Sequence, residues 1–284
     1  MEKITGINTN IKSIAILMAT YNGEKYLREQ IESLLAQNYS NWTLFIHDDG
    51  STDHTLDILH DYTSQYPNII VLDYPPLHSA TRNFLSLLDR VEADYYMFCD
   101  QDDYWLPNKI EKELVKMQDL ESIHPDKSII VFSDLSITDG DLRITDKSMW
   151  KASGIRPELL TNFDLGGAFE FVTGCTMLFN REAKNAMNIS AQKATVHDLW
   201  LTLCVLRAGG IVSAIAEPLV LYRQHGTNTL GASKWANKTM TYKARHFANI
   251  VKHDYHHWQM LQTLGYGSLA KYYYYKYLYR RIHK

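Results

Sequence analysis

Apolar and polar positions along the first half of the chain form a regular series of strand-like and helix-like segments. Short apolar runs indicate buried strands, and apolar residues three or four positions apart indicate the helices between them. Repeated β-α-β units of this kind predict an α/β fold, with a mostly parallel central sheet that helices cover on both faces. The predicted strands are 13–19, 42–47, 69–72, 95–99 and 128–133, and the predicted helices are 24–37, 52–66, 81–91 and 107–120.

The pattern changes after residue 133. No clear period runs through 134–167, whereas 169–180 is typical of a strand, 197–208 of a helix, and 211–215 and 218–222 of two short strands. From about residue 233 the chain is helical in pattern, aromatic and basic. We therefore expect one domain over residues 1–232, divided near residue 133, and a helical C-terminal extension over residues 233–284.

Composition and charge exclude several functions. The net charge of −3 gives no basic field for nucleic acid. No run of 18 uncharged apolar residues could span a membrane, and the first residues lack the apolar run of a signal peptide. Cys99, Cys175 and Cys204 lie in apolar segments without the spacing of a metal site, which is typical of buried thiols in a reducing compartment. We expect a cytoplasmic protein.

The clearest chemical signal follows the predicted strand 95–99. Its apolar run ends in Asp100, Asp102 and Asp103, three carboxylates within four positions. Carboxylates this close repel one another unless a cation or hydrogen-bond donors compensate them. Oxygen ligands of this kind suit Mg²⁺ or Mn²⁺, which usually complete their shells with substrate phosphates. A solvated turn that caps the next helix is the alternative.

Two other predicted strand ends carry polar side chains. Residues 20–23 offer a hydroxyl and an aromatic face, without the glycine spacing of a dinucleotide site. Residues 48–53 contain three acids, of which helix capping explains one. A carboxylate here can accept the imide N–H of a uracil or thymine base. Because the carboxyl ends of parallel strands lie at one sheet edge, the three strand ends predict a single ligand site.

These residues resemble a known family. Thr20-Tyr21-Asn22-Gly23, Asp48-Asp49-Gly50-Ser51-Thr52-Asp53 and Asp100-Gln101-Asp102-Asp103 together resemble the family 2 glycosyltransferases of the GT-A fold, over about residues 12–230. The last motif and Tyr222-Arg223-Gln224-His225-Gly226 look most like bacterial rhamnosyltransferases, which build cell-wall or capsular polysaccharides from dTDP-β-L-rhamnose. The resemblance implies a metal-dependent, inverting transfer that gives an α-linked product on a lipid-linked saccharide acceptor.

The resemblance also assigns the two halves of the domain. Residues 1–133 would bind the nucleotide sugar, and residues 134–232 would bind the acceptor and supply the base. Asp102 would bind Mn²⁺ or Mg²⁺, and His225 resembles a ligand of the metal or the diphosphate; imidazole suits Mn²⁺ better. The resemblance implies that Thr20, Tyr21 and Asp49 hold the base of the nucleotide sugar and that Asp100 lies near its ribose. It also implies Asn22, Gln101 and Arg82 at the nucleotide sugar. Arg82 is equally well explained as a surface residue.

Asp198 lies between apolar residues at the start of a predicted helix. The surrounding segment resembles the family motif whose Asp is the general base. An inverting transfer needs a carboxylate beside the acceptor hydroxyl, opposite the departing diphosphate. Capping of the helix is the alternative role for Asp198. The acceptor-side candidates are Thr173, Gly174, His197 and Trp200, with a strand bulge as the alternative for Gly174.

Three other functions stay open at this point. A UDP-hexose could be the donor, since uracil and thymine share the imide edge. A nucleotidyltransferase should carry a glycine-rich basic loop after the first strand, and residues 22–25 contain one glycine. A non-catalytic nucleotide-sugar-binding protein would not need both Asp102 and Asp198. The tyrosines and basic residues of 271–284 fit an anionic membrane surface, packing on the domain, or a homodimer partner.

Overall fold

A computed structural model of the chain describes residues 4–5, 12–187, 194–226 and 247–282. The strands of this part are β1 (Ile4–Thr5), β2 (Ile14–Thr20), β3 (Trp42–Asp48), β4 (Ile69–Val71), β5 (Val91–Glu92), β6 (Tyr95–Cys99), β7 (Tyr104–Trp105), β8 (Ile129–Thr138), β9 (Ile144–Asp146), β10 (Met177–Asn180) and β11 (Ile211–Arg223). The α-helices are α1 (Leu27–Leu35), α2 (Thr55–Gln65), α3 (Ala80–Arg90), α4 (Lys109–Ile123), α5 (Met149–Ser153), α6 (Phe163–Gly166), α7 (Arg181–Ala186), α8 (His197–Arg207), α9 (Phe247–Thr263) and α10 (Leu269–Ile282).

The central sheet has the strand order β4-β3-β2-β6-β10-β8-β11-β7, and β9 pairs with β8. The first four strands are mutually parallel, β10 runs antiparallel between β6 and β8, and β11 is parallel to β8. Thr20 lies opposite Asp48, and Met18 lies opposite Cys99. The carboxyl ends of β2, β3 and β6 therefore meet at one edge, which confirms the predicted mostly parallel α/β sheet.

Helices cover the sheet on both faces, and the alternation of side chains along each strand supplies both cores. In β2, Ile14, Ile16 and Met18 belong to the core that contacts α1, α2 and α4. Ala15 and Leu17 belong to the opposite core, under α3 and α8. A strand that is buried on both faces needs apolar residues at every position, which explains the uninterrupted apolar runs of the sequence.

Three predicted segments differ in the structure. The two short strands expected at 211–215 and 218–222 are one strand, β11, whose register shifts on either side of Pro218. Proline has no N–H to donate to a neighbouring strand, so the sequence shows a break where the strand only changes register. The strand expected at 169–180 is shorter, because Gly174–Thr176 forms a 3-10 turn before β10. The irregular region 134–167 contains the end of β8, together with β9, α5 and α6.

The two C-terminal helices pack on the domain rather than extending away from it. Leu261 and Tyr272 are fully buried in a third apolar cluster, with Trp200 and Leu203 of α8. Of the alternatives for the tail, packing on the domain is therefore confirmed for the described helices; residues 233–246 lie outside the described ranges. None of the helices described here is long and apolar enough to cross a membrane.

Candidate functional site

The ends of β2 and β3 are tied together by their own side chains. The Thr20 hydroxyl is buried and donates to Asp48 Oδ2 at 2.8 Å, and the Ser51 hydroxyl donates to the same oxygen at 2.6 Å. Asp48 Oδ1 accepts the backbone N–H groups of Gly50 and Ser51. The Thr20 hydroxyl thus joins the ends of the two strands, and its contact with a nucleobase stays a prediction.

Tyr21 presents its ring at the mouth of this edge, with 55% of the residue exposed. Gln101 holds the Tyr21 backbone on both sides: its Oε1 accepts the Tyr21 N–H at 2.9 Å, and its Nε2 donates to the Tyr21 carbonyl at 3.0 Å. A Cβ at Gly23 would clash with Gln101 Oε1, so a larger residue would displace this amide. Asn22, with a φ of 47°, accepts the Thr52 N–H through its side chain at 2.8 Å. The ring of Tyr21 is thus exposed at this sheet edge, while its backbone is held in place.

The Asp49 carboxylate binds the loop that precedes α3. Its Oδ1 accepts the N–H groups of Leu77 and His78 at 2.7 and 2.8 Å, and its Oδ2 accepts the N–H of Ser79 at 3.0 Å. Burial alone would raise the pKa of Asp49, but hydrogen bonds from Asn83 and these backbone groups lower it below its usual value. Asp49 is therefore an ionised carboxylate that shapes this loop.

Arg82 follows the Ser79 cap in the first turn of α3, and it is exposed. Both the nucleotide contact and the surface role considered for Arg82 are compatible with this position.

Asp102 and His225, the two predicted metal ligands, meet although they lie far apart in sequence. His225 Nε2 is 2.7 Å from Asp102 Oδ2, and the two side chains are 14% and 17% exposed. The His225 ring also packs against Tyr26, with centroids 4.8 Å apart. A carboxylate oxygen and an imidazole nitrogen that converge at an accessible point are a suitable partial ligand set for Mn²⁺.

Arg223 holds this pair in place, and the sequence interpretation gave it no role. It is almost fully buried, and its Nε donates to the Asp102 carbonyl at 2.8 Å while its backbone N–H donates to Asp103 Oδ1 at 3.1 Å. The guanidinium also donates to the Gly140 carbonyl at 2.6 Å and pairs with Glu29 at 2.5 Å. Its position two residues before His225 in the conspicuous 222–226 motif was the available signal.

Burial makes the acidic strand end electrostatically unfavourable without a cation. It raises the pKa of Asp100 to about 7, with further contributions from the charges of Asp102 and Asp198. It also raises the pKa of Asp103 well above its usual value, again with contributions from the two neighbouring carboxylates. One ligand atom each of Asp100, Asp103 and Cys175 lies within 4.8 Å of the others. A cation held by Asp102 and His225 would relieve this repulsion.

Asp198 lies in a separate cleft, and both of its carboxylate oxygens are held by backbone groups. Gly174 N–H donates to Oδ2 at 2.7 Å and Leu199 N–H to Oδ1 at 2.6 Å. The helix α8 begins at His197 with Val196 as its N-cap, so the alternative in which Asp198 is the cap is wrong. Burial raises the pKa of Asp198 to about 6, against these hydrogen bonds. We call this space the Asp198 cleft; it is lined by Met149, Glu170, Val172, Thr173, Val196, Asp198, Leu199 and Tyr222.

The acceptor-side candidates divide into two groups. Thr173 lines the Asp198 cleft, and Gly174 holds the base through its N–H, within a 3-10 turn rather than a strand bulge. His197 is buried, with its ring 4.1 Å from that of Phe84, and burial lowers its pKa to about 3. Trp200 is fully buried. Neither His197 nor Trp200 lines the Asp198 cleft, so their place at the acceptor stays a prediction.

The acidic strand end and the Asp198 cleft are adjacent. Tyr222 lines the cleft. Its pKa is raised mainly by burial and further by the charges of Asp103 and Asp100. Asp198 likewise contributes to the raised pKa of Asp100. The crowded acids and the half-buried candidate base are thus close enough to influence each other's charge.

Comparisons with known proteins agree with this geometry. Residues 15–185 match the family described as Glycosyl transferase family 2. The dTDP-rhamnosyl transferase RfbG of Shigella flexneri is 31% identical over 76% of this chain and 74% of its own. Among solved structures, S. aureus TarS 1-349 in complex with UDP-GlcNAc matches with a TM-score of 0.56 at 18% identity, over 78% of this chain and 60% of TarS. Mannosyltransferase PcManGT from Pyrobaculum calidifontis, in complex with GDP-Man and Mn²⁺, matches with a TM-score of 0.56 at 14% identity, over 91% and 76% of the chains. The last two comparisons bear on the fold, which is that of GT-A glycosyltransferases.

Proposed function

This chain belongs to glycosyltransferase family 2, and we propose that it catalyses an inverting transfer of rhamnose from dTDP-β-L-rhamnose with Asp198 as the general base. The observation that carries the proposal is the position of Asp198. It is a carboxylate whose pKa is raised to about 6, fixed by two N–H groups in a cleft adjacent to Asp100 and Asp102. A base needs a pKa below but near the working pH, and this value meets that condition.

The donor assignment follows from the relative RfbG, whose name specifies dTDP-rhamnose. A UDP-hexose is the second candidate, and the structural similarity to TarS in complex with UDP-GlcNAc favours it. Tyr21 would stack on the pyrimidine, with Asp49 and the loop it shapes at the imide edge. Asp100 would bind the ribose and Arg82 would lie near the nucleotide, while Thr20, Asn22 and Gln101 would fix the loops that form the pocket.

The metal assignment rests on the fit of the residues present. Asp102 and His225 would hold Mn²⁺ or Mg²⁺, and PcManGT, with Mn²⁺ in its structure, supports a divalent ion. When bound, the ion would offset the charge that develops on the departing diphosphate. Arg223 would keep both ligands in position through its bonds to residues 102 and 103.

The proposed reaction is a single displacement. The acceptor oxygen attacks the anomeric carbon from the face opposite the diphosphate, the bond from that carbon to the diphosphate oxygen breaks, and the acceptor proton moves to an Asp198 oxygen. A β-configured donor gives an α-linked product. The 1–133 half would bind the donor, and the 134–232 half together with the packed tail helices would bind the acceptor.

The acceptor is proposed to be a lipid-linked saccharide, reached from the cytoplasmic face of a membrane. The outward side of α10 carries Tyr274, Tyr277 and Ile282, each about half exposed, near Arg280 and Arg281. Tyrosines beside basic residues suit an anionic lipid surface. Cosedimentation with anionic vesicles should weaken in a Tyr274→Ser/Tyr277→Ser double variant. A changed oligomeric state in that variant, with unchanged vesicle binding, would instead indicate a homodimer interface.

Donor binding tests the proposed function most directly. Thermal unfolding would be followed with dTDP-rhamnose, several UDP-hexoses and GDP-mannose, each with Mn²⁺ and again with EDTA. A ligand that binds only the folded protein at a hundred times its Kd stabilises it by about 2.7 kcal/mol. We expect the largest Mn²⁺-dependent shift with dTDP-rhamnose. The largest shift with a UDP-hexose would replace the donor, and a β-linked product by NMR would exclude inversion.

A further inference from the structure

Glu170 is a second carboxylate in the Asp198 cleft, and the sequence interpretation did not consider it. Its side chain lines the cleft with Asp198 and Thr173 and keeps 18% of its surface exposed. The raised pKa of Asp198 is due mainly to burial, and the nearby charge of Glu170 contributes to it. The cleft therefore contains two acidic groups with different surroundings: Asp198 is held by backbone N–H groups, whereas Glu170 faces the C-terminal helices.

Two histidines of α9 approach one oxygen of Glu170. His253 Nε2 lies 3.4 Å and His257 Nδ1 lies 3.6 Å from Glu170 Oε1. The His257 ring is buried, and its other nitrogen, Nε2, is 2.9 Å from the Gly167 carbonyl, to which it donates. That bond fixes the ring orientation and places the proton of a neutral ring on Nε2, so that Nδ1 faces Glu170 without a proton to donate. The two imidazoles thus restrict the Glu170 carboxylate from the tail side of the cleft.

A polar network secures α9 itself against α10. Asp254 Oδ1 pairs with Lys276 Nζ at 2.5 Å and accepts a longer bond from the Tyr272 hydroxyl at 3.4 Å. Tyr272 is fully buried, so the two helices cannot slide past each other without breaking packed contacts. Glu170 is consequently in contact with the C-terminal helices, which lie outside the matched family region of residues 15–185.

From this geometry we infer that Glu170 is an acceptor-binding residue, whose carboxylate accepts a hydrogen bond from a sugar hydroxyl next to the one that attacks. His253 is its positioning residue. This inference rests on the proposed glycosyl transfer and adds a hydroxyl-bearing acceptor subsite built partly by α9. A carboxylate is acceptor-only when ionised, so it selects hydroxyl donors and disfavours an acceptor lacking that hydroxyl. Acceptor selection would then be set by the tail, separately from donor binding.

The test compares Glu170→Gln with Glu158→Gln, a matched change at an exposed glutamate paired with Arg156 outside the cleft. A panel of synthetic alkyl glycosides, including rhamnose-terminated ones, serves as acceptors at saturating donor and Mn²⁺. For a glycoside used by the wild type, Glu170→Gln should raise acceptor KM by about 5–15-fold, because a neutral amide oxygen accepts a weaker hydrogen bond than a charged carboxylate does. Donor Kd and the product anomer should not change, and Glu158→Gln should match the wild type.

His253→Ala supplies a second measurement if Glu170→Gln does not fold, because His253 is half-exposed. It should raise acceptor KM by about 3–10-fold without changing donor Kd, and His253→Gln should recover part of the loss because it keeps an N–H donor. Wild-type acceptor KM in a folded Glu170→Gln protein, or a lower Tm with unchanged KM, overturns the inference while leaving the transferase function standing. Absence of transfer by the wild type to every glycoside in the panel counts against both.

Discussion

Replacing Asp198 with Asn should separate chemistry from binding. The substitution keeps the shape of the side chain and removes the proton acceptor, so turnover should fall by about 10²–10⁴-fold, the usual contribution of a positioned base. Donor affinity should be nearly unchanged, because the carboxylate is held by Gly174 and Leu199 rather than by groups of the donor-binding loops.

The raised pKa gives this prediction a pH dependence whose sign can be worked out. With a pKa of about 6, Asp198 is about 97% ionised at pH 7.5 and about 9% ionised at pH 5. The base acts only when ionised, so wild-type kcat should fall about tenfold between these pH values. The residual kcat of Asp198→Asn should not show this fall between pH 7.5 and pH 5.

The same shift predicts that the variant still folds. A carboxyl whose folded pKa is raised from 3.8 to about 6 destabilises the folded state progressively as the pH rises between these two values, and fully above them, here by about 3 kcal/mol at most. Asn removes that penalty and loses one of the two N–H contacts of Asp198, at a cost of about 1–2 kcal/mol. The net change in unfolding free energy at pH 7.5 should therefore be small.

The assay would follow release of the nucleoside diphosphate and the product anomer by NMR. Asp57→Asn is a suitable control, since Asp57 is also an acidic residue in the first turn of a helix, but on the exposed side of α2. Turnover of Asp198→Asn within tenfold of wild type would remove Asp198 from the mechanism. A flat wild-type kcat between pH 5 and pH 7.5 would show that its pKa does not limit the reaction.

Three further predictions concern the donor side. Asp102→Ala should abolish the Mn²⁺-dependent part of the dTDP affinity, measured by calorimetry. It should leave the metal-free Tm unchanged or higher, because one of several crowded carboxylates is gone. Mn²⁺-enhanced binding of dTDP to the variant would contradict the metal assignment. Arg223→Met should lower the free energy of unfolding in urea by about 2–4 kcal/mol, since the Asp102 and Gly140 carbonyls lose their side-chain donor. Arg143→Met on the surface should change it by less than about 0.5 kcal/mol, and equal effects would refute the role of Arg223. Asp49→Asn should weaken the binding of dTDP and of UDP alike by about 1–3 kcal/mol, and it should also lower Tm because the Asp49 carboxylate holds the 77–79 loop. An unchanged preference for pyrimidine over purine nucleotides would place base recognition elsewhere.

The fold and the location of the site could be predicted from sequence because both depend on local patterns. Continuous apolar runs identify strands buried on both faces, and parallel strands necessarily place their carboxyl ends at one edge. The break at Pro218 misled the prediction for β11, because a missing N–H looks the same in sequence whether the strand ends or shifts register. The packing of α9 and α10 was likewise open, since exposed and buried tyrosines cannot be told apart in a run such as 272–275.

Individual roles at the site were harder to predict, because they depend on contacts between distant loops. A polar residue at a strand end can face a ligand or a neighbouring loop, and its sequence context is the same in both cases. Gln101 holds a backbone 80 residues earlier, and Arg223 reaches Asp102 from 121 residues later. His197 and Trp200 flank Asp198 and Leu199 along α8, where successive side chains point in different directions, so proximity in sequence did not place them in the cleft. Motif resemblance, rather than periodicity, paired Asp102 with His225.

The partial burial of Asp198 has two consequences for the proposed transfer. It raises the pKa of the carboxylate, which makes Asp198 a stronger base for a hydroxyl than an exposed aspartate would be. It also limits the space in which water can replace the acceptor, because apolar Val172, Val196 and Leu199 line the same cleft. An acceptor that contacts Glu170 would complete this exclusion from the tail side. Variants that open the cleft should therefore increase hydrolysis of the donor relative to transfer. Leu199→Ala is such a variant, and Leu56→Ala, at an exposed position on α2, is its control. The ratio of free sugar to glycoside, both measured in one NMR spectrum, gives the ratio of hydrolysis to transfer. An unchanged ratio in Leu199→Ala would show that burial tunes the base without protecting the donor from water.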